Sequence, residues 1–295
     1  MISTLILSHN EQVNIGACLS SLKWCDDVVV LDSGSTDGTI DIARSYGARL
    51  FWHPFRGFGD QRNWALDNIF FKHGWLLILD ADERVTGMFH KELVDRITHA
   101  DEDLVGLFVC RKFTYWGKWL RRSSAFPSWI LRVIKIGNVR FRNMGHAETH
   151  VATGRLGYLK EPLIDEDFKT IDDWFDRHNR YSAAEAELEY HRGKRYEEEQ
   201  AGKDPYRATS SMRSRFKAWG CTLPGRPLWY FLYAYVLRGG FLEGKKGFMY
   251  CYMKALYHAM IQIKKFDIDQ RVGSERSPDG LLEEDEHSHL SGHER

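Results

Sequence analysis

An unbroken apolar run, Trp75-Leu76-Leu77-Ile78-Leu79, stops at Asp80-Ala81-Asp82-Glu83. Two aspartates one residue apart can share one hard cation, which prefers oxygen ligands. The run before them reads as a strand buried on both faces. That places the acids at its carboxyl end, where open α/β sheets receive ligands. Alone, the same spacing also fits a surface turn. Polar groups close two other apolar runs as well. Ser8, Asn10 and Glu11 follow Thr4-Leu5-Ile6-Leu7, and Asp32, Ser33 and Ser35 follow Val28-Val29-Val30-Leu31. If the runs are parallel neighbours, all these groups open onto one edge. A carboxylate there accepts hydrogen bonds from a base or a sugar. Asp32-Ser33-Gly34-Ser35 also suits a capped turn.

The elements that must position these groups alternate in type. Strands are predicted at Thr4–Ser8, Val28–Asp32, Ala48–Trp52 and Trp75–Leu79, with helices between them near Glu11–Trp24, after Gly38, and near Gln61–Phe71. A further helix is expected over Met88–His99. This alternation predicts a mostly parallel, doubly wound sheet. From Val105 the pattern turns β-rich, with Trp129–Ile136 strand-like, and from about Thr170 it turns helical. The expected organisation is a domain over residues 1–168, a helical region over 169–270, and a polar, disordered tail over 271–295.

Composition narrows the class. With 41 basic and 41 acidic residues in 295, no net field draws the chain to nucleic acid, and no nucleic-acid partner is expected. The five cysteines form no CxxC pair, so neither a zinc site nor a disulfide framework is indicated. The opening run has no basic n-region. No stretch of about twenty uncharged apolar residues reads as a membrane span. There is no GxxxxGK[ST], and Ser8-His9-Asn10-Glu11 replaces any GxGxxG after the first strand. A diphosphate bound here needs a metal or side chains to offset its charge.

Taken in order, Leu5–Glu11, Val29–Thr39, Arg56-Gly57-Phe58-Gly59 and Leu79–Glu83 resemble the family 2 glycosyltransferases, most closely the lipopolysaccharide-core beta-glucosyltransferase (WaaE-type) subgroup. The likeness covers roughly the first ninety residues and continues more weakly through Trp129–Arg132 and His178–Ser182 to Tyr235–Gly244. It implies an α/β fold of the GT-A kind: a Rossmann-like, mostly parallel sheet with a helical C-terminal appendage. It implies an inverting transfer of a hexose from a nucleotide-sugar donor, with UDP the expected nucleotide. Carried over by position, Ser8, Asn10, Glu11, Asp32 and Ser35 face the donor, and Asp32 contacts the base. Asp80 lies near ribose and metal, and Asp82 binds Mn2+ or Mg2+. The resemblance makes Glu148 the expected general base, with Asp165-Glu166-Asp167 as the other acids in place, and it puts His146 by the metal or the acceptor. Many relatives carry a histidine near the position of Asp165, so this chain must supply that group's role otherwise.

Arg121, Arg122, Arg132, Lys135, Arg140 and Arg142 are interleaved with Trp116, Trp119, Phe126 and Trp129. Arginine forks match phosphate and aromatic faces stack on sugars, so this stretch is an expected acceptor cleft, with Arg132 and Trp129 foremost. A solvated β-surface fits the same residues. Residues 227–242 and 248–263 are rich in Trp, Tyr and Phe and interrupted by Arg238 and Lys254. They suit interfacial helices at the cytoplasmic face of the inner membrane beside a glycan or lipid-linked acceptor; packing on the catalytic domain fits them too. Alternatives are a polyprenyl-phosphate glycosyltransferase and a non-catalytic glycan-binding or scaffold protein.

Overall fold

In the computed structural model, residues 2–124, 126–144, 147–201 and 225–274 are described, with backbone alone for 144, 147, 148, 192–201, 273 and 274. The tail expected over 271–295 starts later than that, since the last helix continues through Ser274; residues 275–295 lie outside those described. The N-terminal half follows the predicted alternation: β1 (Ile2–Ser8), α1 (Ile15–Ser20), β2 (Val28–Asp32), α2 (Thr39–Ser45), β3 (Arg49–Trp52), α3 (Phe58–Asn68), β4 (Trp75–Asp80), β5 (Glu83–Arg84) and α4 (Gly87–Thr98). Then come β6 (Leu104–Tyr115), β7 (Lys118–Trp119), β8 (Trp129–Lys135), β9 (Val139–Met144), β10 (Ala147–Ala152), β11 (Arg155–Tyr158) and β12 (Leu163–Glu166). The C-terminal helices are α5 (Ile171–Ala201), α6 (Arg226–Leu232) and α7 (Gly244–Ser274). A π-helical turn (Tyr233–Leu237) and a 3-10 turn (Gly240–Glu243) join the last two.

The main sheet runs β3-β2-β1-β4-β8-β6-β12-β5. β1 to β4 are parallel, β8 is antiparallel to both neighbours, and β6 is parallel to β12. One face packs Ile6, Val30, Leu77 and Leu79 under α1, α2 and α4. The other packs Leu5, Val29, Ile78 and Leu131 under α3 and the β9–β10 hairpin. Burial on both faces is why the strands read as continuous apolar runs. Ser8 pairs with Asp32, and Leu7 with Asp80, so the polar strand ends share one edge.

The sheet cannot be flat. The chain passes from Asp80 to Glu83 in three steps, a reach of at most about 11 Å. Yet β8, β6 and β12 lie between β4 and β5 in the sheet, four strand spacings or about 19 Å on a plane. The half-sheet β4-β8-β6-β12-β5 therefore curls back on itself and encloses the side chains on its concave face.

The C-terminal helices close one end of this curl. Met253, Tyr257 and Ile261 of α7 pack with Trp174 and Ala186 of α5 against Tyr115 and Leu120. Arg226 at the start of α6 forks onto the Glu189 carboxylate at 2.8 and 2.9 Å. The run Arg238-Gly239-Gly240-Phe241-Leu242-Glu243-Gly244 is a lock between this region and the loop before β8. Arg238 donates to the carbonyls of Arg122 and Phe126. Buried Glu243 accepts the backbone N–H of Arg122 (2.6 Å) and of Ser123 (3.1 Å), and the Ser123 hydroxyl (2.5 Å). Gly239 has φ +75°, and a Cβ there would stand 2.8 Å from the Arg122 guanidinium, so glycine is required.

Removing the Glu243 carboxylate strands buried donors. Glu243→Ala is expected to lower unfolding free energy by about 3 kcal/mol, read as a lower urea midpoint. Glu243→Gln should lose less, because its carbonyl still accepts.

Candidate active site

At the ends of β1 and β2 the polar residues form one network around Asp32. Its Oδ1 accepts the backbone N–H of Gly34 (2.8 Å) and Ser35 (2.7 Å). Its Oδ2 accepts the hydroxyls of Ser8 (3.0 Å) and Ser35 (2.5 Å). Asn10, at φ 52°, donates its N–H to the Ser35 hydroxyl at 2.8 Å and accepts from the Thr36 N–H at 2.8 Å. Ser8, Asn10, Asp32 and Ser35 are thus brought together as expected. What the buried Asp32 carboxylate does here is hold the turn, since four donors already occupy it. Glu11 leaves this network for another. Its carboxylate accepts Asn14 Nδ2 at 2.7 Å and pairs with Lys169 at 2.5 Å.

Under the strand end lies a buried ionic knot. Arg132 of β8 is 3% exposed, and its guanidinium bonds both Asp80 Oδ2 and Glu83 Oε1, the latter at 2.7 Å. The other Glu83 oxygen accepts the Asp80 N–H at 3.0 Å, which fixes the turn between the two acids. Arg62 of α3 approaches Asp80 Oδ1 at 3.7 Å, yet that oxygen has no hydrogen-bond partner among the described residues. Burial opposes charge on Asp80, but Arg132 and Arg62 hold its carboxyl below the ordinary range. Burial likewise disfavours the charged Arg132, and Asp80 and Glu83 reverse this, raising its pKa.

The remaining acids converge from β12 and the loop after it. Asp165 pairs with Arg111 of β6 at 3.1 Å, and Glu166 pairs with Arg84. Asp167 accepts from Asn14 (2.9 Å) and Arg177 of α5 (2.7 Å). Asp82 projects among them, and its carboxylate makes no hydrogen bond or ion pair among the described residues. Burial first, then the charges of Asp165, Asp80, Glu11 and Asp167, push its pKa well above the ordinary value.

Two expectations change. Arg132 does not line an open acceptor cleft: it is buried beneath the acids because two carboxylates need its charge. The basic stretch around it also disperses, with Arg121 over Trp119 and Arg140 on Asp67 at the surface. Trp129 stays open, with its edge on Tyr158 at 5.1 Å. His146 lies outside the described residues. Glu148 is placed by its backbone alone, near the tip of the β9–β10 hairpin. That end of the hairpin lies on the site edge, since Asn143 of β9 accepts from the Gly59 N–H at the start of α3. Sequence reasoning gave Glu83 no role of its own and missed Arg62, Arg111 and Arg177. The available signal was a lone arginine inside an apolar strand, as in Val109-Cys110-Arg111 and Ile130-Leu131-Arg132. Such a charge must find a partner.

The profile described as Glycosyl transferase family 2 matches residues 3–165. The chain is 29% identical to the lipopolysaccharide core biosynthesis glycosyltransferase LpsC of Rhizobium meliloti, over 66% of this chain and 73% of that one. It is 25% identical to an uncharacterized glycosyltransferase of Rickettsia typhi, over 84% and 80%. A crystal structure of glucosyl-3-phosphoglycerate synthase from Mycobacterium tuberculosis, with Mn2+, UDP and glucosyl-3-phosphoglycerate, is 26% identical. It aligns over 43% of this chain and 47% of that one, so the chain spans less than half of that protein, and the TM-score is 0.33. At that score the overlap carries no argument about the site.

Arg132→Met would leave Asp80 and Glu83 buried without their counter-charge, a loss of about 3–5 kcal/mol. A much lower melting temperature is expected, partly restored by adding Glu83→Gln. Unchanged melting with only a raised acceptor KM would return Arg132 to the acceptor.

Proposed function

Since the chain belongs to Glycosyl transferase family 2, we propose that it moves a hexose with inversion from a nucleoside diphosphate sugar, UDP-linked in the first instance, to a lipid-anchored or lipopolysaccharide-type glycan. The fold is of the GT-A class, with a helical C-terminal appendage. One observation carries the reading. Glu11, Asp80, Glu83, Asp165, Glu166 and Asp167 each face a cation, and Asp82 has none among the described residues. A carboxylate kept in such repulsion suits a bound cation.

The donor set fits Mn2+ or Mg2+. Asp82 would hold the ion, and the unpartnered Asp80 Oδ1 offers a second hard oxygen. Among the described residues no three acid, histidine or cysteine side chains form a ready cage. Mg2+ commonly takes one or two carboxylates and completes its shell with phosphate and water. When bound, the ion stabilises charge on the departing nucleoside diphosphate. The protein's own residues do the rest. The Asp32 turn, with Ser8, Asn10 and Ser35, shapes the base and sugar side. Arg132 and Glu83 are positioning residues that fix Asp80. Glu148, on β10, takes the acceptor proton, and Trp129 offers a face to the acceptor sugar.

A membrane-proximal acceptor is part of this proposal. No helix of the described residues is long and apolar enough to cross a bilayer. Residues 228–252 nonetheless expose many large apolar side chains, with Trp229 at 57% and Leu237 at 79%, beside Lys245 and Lys246. That mixture suits docking at the cytoplasmic face of an anionic bilayer.

Two measurements test the proposal. UDP is titrated with and without Mn2+ into the native chain and Asp82→Asn. The variant is expected to lose metal dependence, and transfer to fall by more than about 10²-fold, the equivalent of several kcal/mol of charge stabilisation. Because its folded pKa is raised, Asp82 costs stability that grows as pH rises from the ordinary carboxylate value toward the raised one and stays constant above it. In EDTA at neutral pH, Asp82→Asn should therefore melt above the native chain. Equal metal-dependent UDP binding by both would remove Asp82 from this role. Separately, the chain should co-sediment with phosphatidylglycerol vesicles, and Trp229→Ser with Leu237→Ser should weaken this by about tenfold. Undiminished sedimentation would put the contact elsewhere.

A further inference from the structure

Lys254 stands apart from every other cation around the site. Arg132, Arg111, Arg177, Lys169 and Arg84 each hold a carboxylate. Lys254 pairs with no acid among the described residues; its one close partner is the Tyr257 ring, 5.2 Å from Nζ. Its strongest charged neighbours are Arg111 and Arg177, both cationic. His258, one turn along α7, adds no counter-charge: burial, Arg226 and Lys254 lower its pKa to about 3. Arg111 supplies an independent sign of a missing partner. One of its nitrogens pairs with Asp165, while its buried Nε–H has no acceptor among the described residues. The ring of Tyr250, one turn before Lys254, lies 5.0 Å from that of Phe113, two residues along β6 from Arg111, so α7 brings Lys254 to the same part of β6.

An ammonium whose charged neighbours are two guanidiniums, with no paired acid among the described residues, is costly to keep, and an unpaired buried N–H adds to the cost. Burial and the two arginines lower the Lys254 pKa to about 8, so a large share stays charged at neutral pH. An apolar side chain such as methionine would fill this part of α7 without that cost. A bound oxyanion would answer both observations, since it takes the arginine N–H and balances the ammonium.

We propose that Lys254 and Arg111, flanked by Arg177, form a subsite for an oxyanion, a phosphate or carboxylate, carried by the acceptor. This deepens the glycosyltransferase reading and rests on it for the assignment to the acceptor. The acids that would hold the metal lie in the turn after β4, whereas this subsite is built from β6, α5 and α7.

The test titrates inorganic phosphate into the full chain by calorimetry with UDP and Mg2+ saturating, so that the diphosphate position is filled. Native protein and Lys254→Arg are expected to bind phosphate. Lys254→Met should bind it about tenfold more weakly, the value of one charge-assisted contact, with UDP affinity unchanged in all three. Equal phosphate affinity in the native chain and Lys254→Met overturns the proposal. So does a matching loss of UDP affinity, which would assign the cation to the donor's diphosphate. Unchanged UDP affinity also certifies that the variant folds; if Lys254→Met does not fold, Lys254→Gln takes its place with the same outcomes. Phosphate binding that depends on Lys254 in a chain that never binds UDP would sink the donor reading and leave an anion site. UDP binding without phosphate binding would do the reverse.

Discussion

A guanidinium shut away from water sets the conditions for everything else at this site. Arg132 sits between Asp80 and Glu83 with almost no exposure. Each of these ions would be costly to bury alone. Together with Arg62 they nearly balance, two acids against two bases. The balance fixes geometry as well as charge. Because Glu83 also accepts the Asp80 N–H, the turn is held, and in it Asp82 faces its like-charged neighbours with no paired cation among the described residues. The repulsion felt by Asp82 follows from how completely its neighbours are satisfied.

The curled half-sheet explains why the acids fall so close in sequence. β4 ends on one acid and β5 begins on another, and the ring of strands between them closes only because the linking turn is short. Asp80 and Glu83 are therefore both the ends of two strands and the lining of the enclosed space. Arg111 and Arg132 enter that space from β6 and β8, which is why two arginines occur within otherwise apolar strands.

Much of this could be read in the residues. Val28–Asp32 and Trp75–Asp80 were legible because burial on both faces leaves an uninterrupted apolar run. The convergence of Ser8, Asp32 and Asp80 followed from parallel pairing alone. What escaped were short strands such as β5 and β12, whose pairing depends on partners some eighty residues away. Charge was the other blind spot. Arg132 shows a positive charge in the sequence but not the two carboxylates that bury it, so it resembled a surface contact. The aromatic C-terminal helices held a similar ambiguity, and the structure divides it by face. Met253, Tyr257 and Ile261 pack inward, while Trp229 and Leu237 remain open.

The lock at Arg238–Gly244 gives the molecule a division of labour. The Asp32 turn and the Asp80–Glu83 turn lie within residues 3–165, the span that the family shares. The helices that wall the opposite side come from later in the chain and attach through the Glu243 carboxylate, the Arg238 guanidinium and one apolar cluster. Few of those contacts reach the acids themselves. A lineage could therefore exchange or remodel residues 226–274 while keeping the strand-end acids intact. Keeping the lock would be the grammar that makes such exchanges readable to the rest of the fold.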